Sequence, residues 1–119
     1  MSASMMRRAL PLAGLLALGG CVSSGDSAGR ASALATTVSR AIACKAGVPQ
    51  RATLDRFLAS ETARGAQPEQ IAAARSTYVT VSEAETINQS VKPQPCSPDE
   101  REMLKRRMAE IRAGNFEPR

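Results

Sequence analysis

Beyond residue 30, apolar residues recur three and four positions apart, the spacing of one helix face. Leu34, Val38, Ala41 and Ile42 predict a first helix over about 32–45, with Gly47 suited to its C-terminal cap and Pro49 blocking continuation. Leu54, Phe57 and Leu58 share a face of a second helix, expected over about 49–64 and ended by Gly65. A third opens near Pro68-Glu69 and runs through Ile71, Ala74, Tyr78 and Val81. The stretch Ser76–Val81 (STYVTV) is rich in β-branched residues, so a short strand competes there. Beyond Glu85 the pattern fades, and Pro93 and Pro95 favour an extended approach to Cys96. The fourth helix has the clearest start. Ser97-Pro98-Asp99-Glu100 sets serine at the N-cap, proline at N1 and glutamate at N3, the signature of a reciprocal capping box. Leu104, Met108 and Ile111 form its stripe with Met103 beside them, basic residues fill its later turns, and Gly114 closes it. Residues 115–119 are expected to be a short tail.

One apolar run breaks this pattern. Ala9–Leu18 is almost uninterrupted, follows the basic pair Arg7-Arg8, and leads through Gly19 and Gly20 to Cys21. Basic region, apolar region and small residues are the three parts of an export signal. The run is too short to cross a hydrocarbon core, which needs about 20 apolar helical residues. Leu18-Gly19-Gly20-Cys21 resembles the lipobox of bacterial lipoproteins. That resemblance implies cleavage before Cys21, a diacylglyceryl group on its thiol and an acylated (palmitate-type) amine. Val22, rather than aspartate, follows the cysteine, which resembles the outer-membrane sorting pattern and implies a periplasm-facing anchor. The alternatives are an ordinary secretory signal, with Cys21 incidental, or a cytosolic start. Two or more acyl chains matter because each buried CH₂ contributes about 0.8 kcal/mol and one chain anchors poorly. The expected organisation is a signal peptide over 1–20, a flexible Ser/Gly-rich tether over 21–30, a helical domain over 31–114 and the tail.

Removing twenty residues from 119 leaves 99, one small domain. The net charge of +5 falls to +3 once Arg7 and Arg8 are gone, a mild balance compatible with an anionic surface. Export and the lack of a dense basic stripe argue against nucleic acid. Phe57, Tyr78 and Phe116 are the aromatic residues, so the core must be thin and aliphatic. A covalent staple would help. Cys44 and Cys96 remain after Cys21, and in an oxidising compartment an isolated pair favours a disulfide. Free thiols are the first alternative. Redox or zinc chemistry fits less well, since there is no CxxC and the chain has no histidine. The fold class expected is therefore mainly α: three to four helices stapled by Cys44–Cys96. A bond joining the end of helix one to the start of helix four resembles small helical acid-stress chaperones of the periplasm, in arrangement and without a shared motif.

Candidate chemistry is sparse. Lack of histidine removes the commonest general base and the Ser-His-Asp arrangement, and no phosphate-binding or nucleophile motif is found. Glu83 with Glu85 suits a solvated stretch, and Asp99 with Glu100 a helix start. Lys105, Arg106 and Arg107 are the remaining candidates, for contact with anionic headgroups, cell-wall polymer or an acidic partner. Glu102 and Glu110 stand four residues either side of Arg106, so pairing on the helix surface is the plainer outcome. The expectation is a non-enzymatic lipoprotein of the cell envelope, without cofactor or metal, that binds, scaffolds or assists an assembly. A client-holding stress protein is the runner-up, and a cell-wall or lipid-processing enzyme the third class.

Overall fold

The computed structural model describes residues 26–117, which form four α-helices and no strand. They are α1 (Ser27–Ala43), α2 (Thr53–Ala63), α3 (Pro68–Val91) and α4 (Pro98–Arg112). The fold is mainly α, and Cys44 is bonded to Cys96. The segment expected to be a signal peptide (1–20), Cys21 and the next four residues of the expected tether lie outside the described residues.

α1 begins five residues earlier than its apolar periodicity suggests, so residues 27–30 belong to the helix rather than to the tether. The cause is a polar cap. The Asp26 carboxylate accepts a hydrogen bond from the Gly29 amide at 2.7 Å, which satisfies a donor the helix cannot. Buried Ser27 and partnered Arg30 then fix the first turn by tertiary contacts, outweighing the cost of Gly29. α1 ends at Cys44, and Lys45 takes the left-handed position at φ 55°. The amides of Lys45 and Ala46 bond back to the carbonyls of Ile42 and Ala41, a Schellman closure. The cap expected at Gly47 therefore falls two residues earlier, on a side chain that disfavours it.

α2 starts at Thr53 rather than Pro49, because residues 50–53 close a turn through Thr53 N–H to Gln50 C=O. α3 is continuous to Val91, so the strand alternative at residues 76–81 is wrong and the helix extends well past Glu85. Its broadest packing is against α1, and the helix persists through Thr77, Val79 and Val81 although Val79 faces solvent, so packing of the helix as a whole outweighs their local β preference. Ala74 is fully buried in α3, with Ile71 and Tyr78 half-buried along the same face.

The core is aliphatic and small-residue-rich: Ala31, Leu34, Val38 and Ala41 of α1 meet Phe57 and Leu58 of α2 and Leu104, Met108 and Ile111 of α4. Alanines let helix backbones approach closely, which suits a chain poor in bulky residues. Phe116 is not loose tail. Its ring meets Phe57 edge-on at 5.7 Å between centroids, so residues 115–117 pack onto the domain.

Candidate functional site

Three groupings of functional side chains stand on this frame, and α1 contributes to all of them. At its carboxyl end, Cys44 and Cys96 join with Cα atoms 5.7 Å apart across 52 positions of sequence. Arg40, one turn before Cys44, reaches the same place. Its Nε and Nη2 donate to both oxygens of Glu100 at 2.7 and 2.9 Å, and its Nη2 and Nη1 donate to the carbonyls of Pro95 and Gln94. One guanidinium thus holds the extended approach to Cys96 and the first turn of α4. Hydrogen bonding to Arg40 is the main cause holding the Glu100 carboxyl below its ordinary range, and the same bond raises Arg40. Arg101 adds a bond from Nε to the Cys44 carbonyl, capping the end of α1.

The two sulfurs and a Glu100 carboxylate oxygen lie within 4.8 Å of one another. Bonded sulfurs offer no thiolate, and Arg40 already occupies the carboxylate, so this cluster works as a clamp. It also corrects the start of α4. The Ser97 hydroxyl accepts from the Glu100 amide at 3.0 Å, as expected, but the Glu100 side chain turns to Arg40 rather than back to Ser97. A long-range charged partner outweighs a local one.

At the amino end of α1, Glu61 of α2 is 1% exposed, and its carboxylate is fully engaged. Arg30 donates from Nε and Nη2 at 3.0 and 2.6 Å, and the Ser27 hydroxyl donates at 2.7 Å. Burial alone would raise the Glu61 pKa. Hydrogen bonds from Arg30 and Ser27, with the charges of Arg30 and Arg64, outweigh it and bring the carboxyl below its ordinary value. No buried side-chain polar atom among the described residues lacks a partner. None of Ser27, Arg30, Arg40 or Glu61 stood out in the sequence. The available signal was weak: a glutamate beside the apolar face of α2, at i+3 and i+4 from Leu58 and Phe57.

The third grouping is a groove of about 330 Å³ between α1 and α4. Leu34, Met103, Leu104 and Phe116 supply its apolar lining, and Arg30, Arg106, Arg107 and Glu110 its charged edge. Two of the three basic candidates therefore share one cavity wall. Their pairing differs from expectation. Glu102 goes to Lys105 at 3.3 Å and Glu110 to Arg107 at 3.0 Å, each three residues away, and Arg106 has no ion pair with another described residue. Arg107 also donates to the Asn115 and Glu117 carbonyls, which holds the last residues against α4. Of the carboxylates weighed earlier, Glu83 is exposed, while Glu85 lines a polar recess of about 250 Å³ with Arg40 and Lys92. Asp99 is exposed, and Glu100 belongs to the clamp.

No protein family matches this chain, and neither do the curated proteins or the solved structures compared with it. Function must be argued from the residues themselves.

Proposed function

We propose that this chain is a small envelope lipoprotein, held at a membrane surface by lipid on Cys21, whose helical domain has a non-enzymatic binding or accessory role. The observation that carries the reading is the joint occurrence of Arg7-Arg8, the apolar run and Leu18-Gly19-Gly20-Cys21 at the spacing of a lipoprotein signal. Two features support it. The Cys44–Cys96 bond suits an oxidising compartment. No helix among the described residues is long and apolar enough to cross a membrane, so attachment there would fall to the lipid. Five residues of sequence separate Cys21 from the start of α1 at Ser27, so a lipid on Cys21 would keep the helical domain close to the bilayer.

Cys21→Ser is expected to abolish incorporation of a clickable fatty acid, and continued labelling would refute acylation at that sulfur. An accessory subunit is expected to yield one defined partner on crosslinking in the native envelope. The client-holding alternative draws on Ile87 and Val91, which stand exposed at the far end of α3. Suppression of client aggregation without a stable partner would favour that reading.

A further inference from the structure

We propose that the groove between α1 and α4 seats an acyl chain of an anionic phospholipid from the leaflet that carries the anchor, with Arg106 meeting the phosphate. This rests on the lipoprotein reading, and it adds a ligand to the site.

Position is the first argument. The groove uses Arg30, Ala33, Leu34 and Thr37, all in the first three turns of α1. The five steps of chain from Cys21 to Asp26 reach at most about 18 Å when fully extended. The groove therefore lies at the end of the domain tied to the bilayer, whereas the disulfide clamp lies at the opposite end of α1.

Chemistry is the second. The groove has an apolar floor of Leu34, Leu104 and Phe116, with Met103 about half exposed beside it. Methionine is unbranched and adapts to a flexible chain. The volume is near the lower limit of small-molecule sites, about 300–1,000 Å³, which suits one acyl chain rather than a whole lipid. Charge supplies the third argument. Arg30 is engaged with Glu61, and Arg107 with Glu110, so these two pairs are close to neutral. Arg106 makes no ion pair with another described residue and brings its positive charge to the rim, which complements a singly charged phosphodiester rather than a zwitterionic headgroup. The Thr37 hydroxyl is a further polar group on the same wall.

The chain has no tryptophan, so one introduced indole is a clean reporter. The acylated mature protein carrying Met103→Trp would be reconstituted in phosphatidylcholine vesicles containing phosphatidylglycerol, with bromine on the acyl chains of one lipid or the other. Val91→Trp, at the exposed end of α3, is the control. The expected result is quenching of the Met103→Trp reporter by brominated phosphatidylglycerol, weaker quenching by brominated phosphatidylcholine, and little at position 91. Adding Arg106→Gln should lower the apparent affinity for phosphatidylglycerol about tenfold, the loss of one charge-assisted contact. Equal quenching by the two brominated lipids would overturn the headgroup assignment. No quenching at position 103 would overturn the acyl site and leave the groove to a protein partner. Fatty-acid labelling of the same preparation keeps the two readings apart. Labelled protein without quenching loses the groove and keeps the anchor; quenching in unlabelled protein does the reverse.

Discussion

α1 carries the same device twice, an arginine gripping a glutamate through Nε and Nη2, and the two copies live in different surroundings. Arg30–Glu61 lies inside, with side chains 14% and 1% exposed; Arg40–Glu100 lies at the surface, at 23% and 30%. Geometry is nearly identical, so the difference is solvent. Glu61 has lost nearly all its water and must have its charge matched within the protein, which makes Arg30 indispensable to it. The outer pair keeps water as an alternative partner, and a covalent bond beside it holds the same two helices. One end of α1 is therefore fixed by electrostatic necessity and the other by a disulfide with a helper.

Removing one partner from inside should have the largest effect. Arg30→Ala strands the Glu61 carboxylate in the core, and urea unfolding should show a loss of about 3–5 kcal/mol. The pH dependence is diagnostic. In the native protein the folded Glu61 pKa lies below its ordinary value of 4.5, so its contribution is complete above that value and is lost as pH falls through the folded pKa. In Arg30→Ala the main opposing influence, burial, prevails and the folded pKa rises. Acidification then neutralises a buried orphan charge, so the variant should lose less stability than the native protein between neutral pH and pH about 4.5. Parallel acid limbs for the two proteins would mean that Glu61 is far better hydrated than its burial indicates.

The clamp end should respond next. Cys44→Ala with Cys96→Ala opens a 52-residue separation, and chain entropy sets the loss at roughly 4 kcal/mol as an upper value. A smaller effect is expected of Glu100→Ala in the oxidised protein, and added salt should reduce it further. The same substitution should cost more once the disulfide is removed, because Arg40 then carries the junction without covalent help. A double-mutant cycle between Glu100→Ala and the cysteine pair would measure this; strict additivity would show that the two devices act independently.

Periodicity located four helices because each buries an apolar stripe, and a stripe leaves a local trace. The same logic made the Cys44–Cys96 pair legible, since only two cysteines remain beyond Cys21. What escaped was long-range polar pairing. Ser27 and Arg30 lie 34 and 31 residues from Glu61, and the one local mark of its burial, its place beside Phe57 and Leu58 on α2, does not name a partner. Capping showed the same division. Ser97 caps α4 as its neighbours suggest, whereas Glu100 was drawn away by Arg40, which is sixty residues distant. Arg106, with a glutamate four residues to either side, is the member of its triplet that neither glutamate pairs with, since each goes instead to a basic residue three positions away.

The smallest effect concerns how α1 hands over to the clamp. Three helices end in the same Schellman closure, with Gly65 after α2, Gly114 after α4 and Lys45 after α1 at the left-handed residue. At φ 99° and 93° glycine has no Cβ to crowd the backbone, whereas Lys45 at 55° does. An L-residue in that conformation costs roughly 1–2 kcal/mol, and glycine's greater freedom in the unfolded chain returns part of it. Lys45 is exposed and makes no ion pair among the described residues, so little is lost with its side chain. Lys45→Gly should therefore raise stability by about 0.5–1 kcal/mol, read as a higher urea midpoint at unchanged slope. The gain should persist in the Cys44→Ala, Cys96→Ala background, because the strain is local to one residue. A gain that vanished there would place its origin in the clamp, and the two ends of α1 would differ by more than their solvent.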